Sequence, residues 1–480
     1  MSLDRDSFYI DGGWAAPRGS GLIEVVSPHT EQVVATVPEG AVADIDAAVA
    51  AARRAFDEGP WPRLTPAERI DVVQAFSGLY AARLGEMADV ITTEMGSTTT
   101  FANLAQAPAA WMQVEAFLTI ARDYGWEETR AGALGSPVIV RREPVGVVAA
   151  IPPWNVPQFT IMSKLVPALL AGCTVVVKPA PETPLDAYLL AEILDEAGVP
   201  PGVVNIVAAG REVGEHLVSH PGVDKVAFTG STAAGRRIGA ICGQQLKRVS
   251  LELGGKSAAI VLEDADLAAT VEGLKFTALM NSGQACVAQT RILAPRSRYA
   301  EVVEALAAGV AGMQVGDPAD PASEIGPMVA ARQAERVEKY IALGQEEGAR
   351  LVLGGTGRPE GVDRGWYVRP TVFADVDNRM RIAQEEIFGP VLSVIPYEGT
   401  DEAVRIANDS EYGLAGTVWT ADDAAGLDVA RRVRTGTYGV NTYTMDMAAP
   451  FGGYKSSGVG REFGPEGLAQ YTEYKSIYTA

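Results

Sequence analysis

The run Val145-Gly-Val-Val-Ala-Ala-Ile151 is followed by Thr174-Val-Val-Val-Lys178, Val203-Val-Asn-Ile-Val207, Lys225-Val-Ala-Phe228 and Ala258-Ala-Ile-Val261, and together these five stretches decide the fold class. Each is short, rich in β-branched side chains and apolar almost throughout. A strand covered on one face alternates apolar with polar positions; these do not, so both faces are expected to be buried. Between them lie stretches of helical spacing, such as 185–197. Strand, helix and strand in that order predict a parallel sheet with crossover helices on both sides, whose ligands gather at the carboxyl ends of the strands.

On the amino-terminal side, Ile45, Val49, Ala52 and Phe56 recur every three or four residues and give one apolar helical stripe. Thr65-Pro-Ala-Glu68 starts a second helix: Thr65 can cap free amides, Pro66 fits the first helical position, and Glu68 stands where a capping-box carboxylate reaches back. Beyond about 290 the alternation resumes, with helices near 297–313 and 327–348, a glycine-rich loop over 354–365, and strands near 391–397 and 414–419. This reads as a second α/β unit. The stretch 122–143 differs, with Gly125, Gly132, Gly135 and Pro137 ahead of the alternating Val138-Ile-Val-Arg-Arg142, and predicts a protruding hairpin with edges open to pairing.

A chain of 480 residues exceeds what one hydrophobic core usually supports, and 47% hydrophobic with 21% charged residues describes a folded, soluble protein. With 40 basic against 60 acidic residues the net charge is −20, so nucleic acid and anionic membrane find no electrostatic footprint. The amino terminus has no apolar leader, and no apolar run reaches the ~18 residues that span a bilayer, so a cytoplasmic location is expected. Cys173, Cys242 and Cys286 are too few and too scattered for a disulfide framework or a thiolate zinc site. His29, His216 and His220 lack partners in the sequence; His216 and His220 stand four apart with no Glu-x-x-His companion and read as a solvated helix end. No structural metal is expected.

Three segments carry chemistry. Asn281-Ser-Gly-Gln-Ala-Cys286 offers a thiol, Leu251-Glu-Leu-Gly-Gly-Lys-Ser257 a carboxylate, and Pro152-Pro-Trp-Asn-Val-Pro157 an amide held between prolines. A lone cysteine is usually a small buried hydrophobe, and Cys173 and Cys242 read that way. Glu252, between two leucines, should be desolvated and its acidity weakened toward that of a general base, although an ion pair with Arg248 or Lys256 is an equal reading. Asn155 is either an oxyanion donor or a turn former. Phe228-Thr-Gly-Ser-Thr-Ala-Ala-Gly235 follows a strand and opens a helix, where free amides favour a phosphate, but it lacks the full dinucleotide glycine fingerprint. Lys178 closes a strand where ligands meet it.

Taken in order, Pro153-Trp-Asn-Val-Pro157, Lys178-Pro-Ala, Phe228-Thr-Gly-Ser231, Leu251-Glu-Leu-Gly-Gly-Lys256, Gly283-Gln-Ala-Cys286, Glu385-Glu-Ile-Phe-Gly-Pro390 and Pro450-Phe-Gly-Gly-Tyr-Lys-Ser-Ser-Gly458 resemble the aldehyde dehydrogenase superfamily, hydrolytic type, nearly end to end. The resemblance implies an α/β protein with a Rossmann-like parallel-sheet cofactor domain (1–121 and 144–251), a second α/β catalytic domain (252–445) and a small β oligomerisation arm (122–143 and 466–480). It implies that Cys286 attacks an aldehyde, that Asn155 and the Cys286 amide hold the oxyanion, that Glu252 activates the hydrolytic water and that Glu462 assists proton removal. Cofactor contacts are implied for Trp154, Lys178, Glu182, Gly210, Thr229, Gly230, Ser231, Leu253, Glu386 and Phe388. The cofactor would be NAD, favoured, or NADP, and the assembly a homodimer or homotetramer. The hairpin 122–143 and the final strand, about 470–480, would pair between subunits, with Arg248, Arg461 and Glu473 in an ion network nearby.

Two departures stand out. The family's adenosine-ribose glutamate lies three residues after the lysine; here Pro181 occupies that place and Glu182 follows it. Val156 stands where an aromatic residue commonly follows the asparagine, with Thr160 and then Ser163 or Lys164 one and two turns on. A wide pocket formed by Val156, Thr160, Phe451, Met445 and Met447 is therefore expected to take a medium or large hydrophobic aldehyde, terpenoid or aromatic. The competing readings are an acylating enzyme that passes the thioester to coenzyme A, a nucleotide-independent thiol hydrolase, and a non-catalytic binding protein that keeps the fold.

Overall fold

The computed structural model describes residues 3–479, arranged around four sheets. The first has eight strands. Its centre is the parallel set Arg248–Glu252, Lys225–Thr229, Val147–Ile151, Thr174–Val177 and Val204–Ile206, in that spatial order. Antiparallel strands flank this set, Gly458–Val459 beside Arg248–Glu252 at one edge and Phe8–Ile10 beside Val204–Ile206 at the other, with Gly13–Ala15 outermost beyond Phe8–Ile10. Thr174–Val177 and Val147–Ile151 are buried at every position, as the unalternating runs predict.

One strand changes sheets. Ala258–Val261 belongs to the seven-stranded second sheet, between Arg291–Pro295 and Gly416–Trp419, and Arg248–Glu252 closes the parallel set of the first in its place. Strands covered on both faces look alike in any sheet, and only Leu253-Gly-Gly-Lys-Ser257 separates these two. The second sheet also holds Val391–Tyr397, Thr371–Ala374 and the antiparallel edge Arg350–Leu353, the last two not foreseen because a glycine-rich loop lies between them.

Helices cover both large sheets. In Pro66–Ala82 the expected capping box forms: Glu68 N–H donates to Thr65 Oγ1 at 3.3 Å, and Thr65 N–H donates to Glu68 Oε2 at 2.7 Å. Pro157–Ala171 begins on its proline and is buried over nearly its whole length. It ends at Gly172, whose φ of 96° and the two carbonyls its N–H reaches, Ala168 and Leu169, make a left-handed cap. No helix among the described residues is long and apolar enough to cross a membrane.

The hairpin of Glu127–Arg130 and Val138–Pro144 forms as expected, but the final strand does not wait for another subunit. Thr472–Tyr478 pairs antiparallel with Val138–Pro144 of its own chain, from Thr472 opposite Pro144 to Tyr478 opposite Val138. The open edges of this three-stranded sheet are Glu127–Arg130 and the outer side of Thr472–Tyr478.

Candidate active site

Neighbouring parallel strands end side by side, and the chemistry follows their ends. Ile151 stands in register with Phe228, and Thr229 with Glu252, so the loop bearing Asn155, the Thr229-Gly-Ser turn and the Glu252 carboxylate emerge together at the carboxyl ends of three adjacent strands. Lys178 follows Val177 one strand further along.

Cys286 is brought there by the second unit. After the helix Leu267–Leu279 the chain makes a left-handed turn, with φ of 52° at Asn281, 60° at Ser282 and 74° at Gly283. Glycine is required at 283, where a Cβ would stand 2.3 Å from the Gly389 carbonyl, and at 255, where one would stand 2.4 Å from the carbonyl of Cys286. The turn is tied down by side chains. Asn281 Nδ2 donates to the backbone carbonyl of Asn155 at 2.9 Å and to that of Gln284 at 3.4 Å, while Asn155 Nδ2 donates to the same Gln284 carbonyl at 2.8 Å. Ser282 Oγ bonds the carbonyl and amide of Gly326. Asn155 thus has one amide hydrogen fixed and a second left for a ligand oxygen. Asn281, Ser282 and Gln284 were not singled out in the sequence; the signal was the Asn-Ser-Gly turn composition, which favours left-handed backbone.

The acidic groups sit in low dielectric. Glu252 is 4% exposed and neither carboxylate oxygen has a hydrogen bond, so no ion pair with Arg248 or Lys256 forms. Burial first, and then the nearby Glu462 carboxylate, hold its acidity well weaker than an ordinary glutamate. Burial and the carboxylates of Glu386, Glu252 and Glu462 push the Cys286 thiol up to about 12, so the resting group is the thiol and needs a proton acceptor. Lys164, fully buried, donates to Glu462 Oε1 at 2.7 Å and to Thr229 Oγ1 at 2.7 Å. Lys164 is therefore the partner of Glu462 and not a pocket wall.

Other expected ligand contacts divide. Lys178 Nζ donates to the Pro179 and Ala209 carbonyls at 2.9 Å each, and one N–H remains. Gly230 and Ser231 lead into the helix Thr232–Gln245, where Ser231 caps the Ala234 amide and the buried Thr232 hydroxyl has no partner. The Gly235 position packs against Leu253, and Gly210 caps the helix Arg211–Ser219. Trp154 and Phe388 meet edge to face at 5.3 Å. Glu386 Oε1 accepts the Gly255 amide at 3.0 Å. The Glu182 carboxylate is turned onto Arg332, and Thr229 Oγ is taken by Lys164.

Against this geometry, comparison with known proteins is decisive. The aldehyde dehydrogenase family model matches residues 14–477. The chain belongs to the aldehyde dehydrogenase family. It is 51% identical to geranial dehydrogenase of Castellaniella defragrans, over all of this chain and 99% of that protein, and 44% identical to 3-succinoylsemialdehyde-pyridine dehydrogenase of a Pseudomonas species, over 99% and 98%. Among solved structures, a Mycobacterium tuberculosis aldehyde dehydrogenase complexed with NAD+ superposes with a TM-score of 0.98 at 52% identity, covering 100% and 99% of the two chains. A mutant of aldehyde dehydrogenase C from Pseudomonas syringae, complexed with NAD+ and octanal, superposes with a TM-score of 0.95 at 44% identity, covering 98% and 96%.

This aldehyde dehydrogenase is an oxidoreductase that converts an aldehyde to its acid with a nicotinamide cofactor. Its residues fit that cofactor. The partnerless Thr232 hydroxyl and the first amides of the following helix suit a pyrophosphate, and Glu386 Oε2, without a hydrogen bond from any described residue, suits a ribose hydroxyl. A Cβ at Gly254 would stand 2.4 Å from that oxygen, so the glycine keeps the cradle open.

The residues expected to line a substrate pocket divide in the fold. Thr160 is buried with its hydroxyl donated to the Val156 and Pro157 carbonyls, and Ser163 is likewise internal, so neither widens a tunnel. Phe159 and Phe451 each pack on Phe463, at 5.4 and 5.6 Å between ring centres. Phe159 escapes a helical count that starts at Val156, the residue before the helix, and Phe463 comes from a distant segment that only the fold brings beside it. Met445 packs on the same cluster as Cys286, and Val156 is half-buried before the helix. In the arm, Arg248 pairs with Glu473, but Arg461 instead donates to the Gly453 and Gly460 carbonyls, so the three do not form one network within a chain.

Proposed function

We propose that this protein oxidises a medium or large hydrophobic aldehyde through a covalent intermediate on Cys286. The observation that carries this is the convergence of the Cys286 turn, the free amide hydrogen of Asn155 and the unpartnered Glu252 carboxylate at the carboxyl ends of adjacent strands. The thiol proton passes by way of water to Glu462, and sulfur bonds to the aldehyde carbon while the carbonyl electron pair moves to oxygen. Asn155 Nδ2 and the Cys286 amide hold that oxyanion. Bound NAD supplies the acceptor for the hydride that leaves the same carbon. Glu252 then takes a proton from water, the new C–O bond forms and the C–S bond breaks, releasing the acid and restoring the thiol. Glu462, steadied by Lys164, receives protons passed on from Glu252. Its buried base beside the thioester favours water over coenzyme A.

Cofactor binding is assigned to the layer of residues 1–121 and 144–251, with Trp154, Lys178, Gly210, Gly230, Ser231, Leu253, Glu386 and Phe388 as its contacts, and catalysis to 252–445. NAD is favoured over NADP. Glu182 reaches the adenosine ribose only after leaving Arg332. The apolar cluster of Phe159, Phe451, Phe463 and Met445 supports a hydrophobic substrate, as do relatives named for geranial and solved with octanal. A cytoplasmic homodimer or homotetramer, joined through the arm, completes the reading.

The test is formation of reduced cofactor with NAD or NADP against short aliphatic, long aliphatic, terpenoid and aromatic aldehydes, with Cys286→Ala alongside. Turnover by the unmodified enzyme alone, with kcat/KM highest for long or terpenoid aldehydes, supports the reading. A higher kcat/KM for short aldehydes refutes the substrate class, and turnover by Cys286→Ala refutes the nucleophile.

A further inference from the structure

The sequence left His216 and His220 without partners; the fold supplies one from 170 residues away. The helix Val42–Asp57 packs on Arg211–Ser219 and presents Asp46 to both rings. Asp46 Oδ1 lies 2.7 Å from His216 Nε2 and 3.4 Å from His220 Nε2, and one ligand atom of each residue lies within 4.8 Å of the other two. The imidazoles stand edge to face, 5.6 Å between centres at 87°, so their Nε2 atoms converge without stacking. None of the three is assigned to the chemistry at Cys286.

We propose that Asp46, His216 and His220 bind one divalent transition-metal ion of the zinc class, through an Asp46 carboxylate oxygen and both Nε2 atoms, with water in the fourth position. Ligands placed ~2.0–2.1 Å from a tetrahedral ion stand about 3.3 Å from each other. The two separations from Asp46 Oδ1, 2.7 and 3.4 Å, already bracket that value, and the three ligand atoms lie within 4.8 Å of one another, so rotations of the partly exposed side chains build the site. Imidazole nitrogens with one carboxylate select zinc, nickel, cobalt or copper over calcium or magnesium, which prefer all-oxygen cages. The side chains of all three residues are partly exposed, which gives a hydrated ion a way in.

Two features oppose binding and limit its strength. The Gly222 amide donates to His220 Nδ1 at 3.0 Å, which places the neutral ring's proton on Nε2, facing Asp46. Coordination through Nε2 displaces that proton, moves the tautomer to Nδ1–H and turns the partly exposed Gly222 amide to water. Lys247, held on the Val218 and His220 carbonyls, adds a nearby positive charge. The ion would tie the first helix to the carboxyl end of a helix whose amino end, at Gly210, faces the Lys178 side of the cofactor layer. Its expected role is to stiffen that layer, not to take part in the reaction.

The experiment is equilibrium dialysis of the chelator-treated full-length protein against zinc chloride, with metal content measured per chain. It is run in a Cys286→Ala background, so that the catalytic thiol cannot take zinc. One zinc per chain is expected, with binding weakened at least about tenfold by His216→Gln and by Asp46→Asn. Cobalt in the same background should give d–d bands without the thiolate charge-transfer absorption that a cysteine site adds. All three side chains are partly exposed, so these variants should keep the circular dichroism spectrum of the parent. Retention of no zinc by the parent, or of equal zinc by His216→Gln, overturns the proposal; either result leaves the assignment at Cys286 standing.

Discussion

Asn281→Gly isolates the hydrogen bonds that align the nucleophile. Asn281 is 7% exposed, its φ is 52°, and its amide bridges the Asn155 carbonyl at 2.9 Å and the Gln284 carbonyl at 3.4 Å. Glycine adopts that backbone freely, so the substitution removes the two hydrogen bonds without adding strain. Each hydrogen bond contributes ~0.5–1.5 kcal/mol net; with one short and one long, the loss is about 1–2 kcal/mol. If that loss falls on the oxyanion geometry shared by Asn155 and the Cys286 turn, the rate drops about 5- to 30-fold. The assay is single-turnover formation of reduced cofactor under saturating aldehyde, with KM measured separately. The expected outcome is a slower first turnover with aldehyde KM changed by less than about twofold. Asn281→Ala adds the left-handed penalty of ~1–2 kcal/mol and should be slower and less stable. An unchanged first-turnover rate in Asn281→Gly, in a folded enzyme, would refute the claim that Asn281 aligns the site.

Three further outcomes are expected. Glu252→Gln should retain the first turnover but lose steady-state hydrolysis by ~10²–10⁴-fold, and the acyl-enzyme should accumulate in intact-mass spectra; normal steady-state turnover would remove Glu252 from the hydrolytic step. Glu386, raised to about 7 by burial, is neutral below that pH and ionised above it, so NAD should bind more weakly as pH falls through 7, by at most tenfold per unit. Fluorescence titration of NAD checks this, and Glu386→Gln should flatten the profile. Lys164→Met strips the buried Glu462 of its cation, and since the pair is 0% and 7% exposed, urea unfolding should show a loss of ~3–5 kcal/mol; a change below about 1 kcal/mol would mean that the pair contributes little.

Much of the fold was legible because its signals are local. Unalternating β-branched runs announce strands covered on both faces, and the capping box at Thr65 and Glu68 forms from residues three apart. The thiol, carboxylate and amide proposed for the chemistry could be picked out for a related reason: seven short segments in a fixed order carry them, whatever the packing. Neighbouring strands then set their convergence, since Thr229 stands opposite Glu252 and Phe228 opposite Ile151 only once the sheet order exists.

What the chain alone determined were its elements, its chemistry-bearing residues and its acidic surface. Tertiary structure decided which sheet received Ala258–Val261, that the last strand closes on its own hairpin, that Lys164 serves Glu462, and that Asp46 meets two histidines. Each of these depends on pairing or burial between residues far apart in sequence. Such contacts follow from how the layers stack, and hydrophobic periodicity, which reports only whether a face is covered, does not say by what.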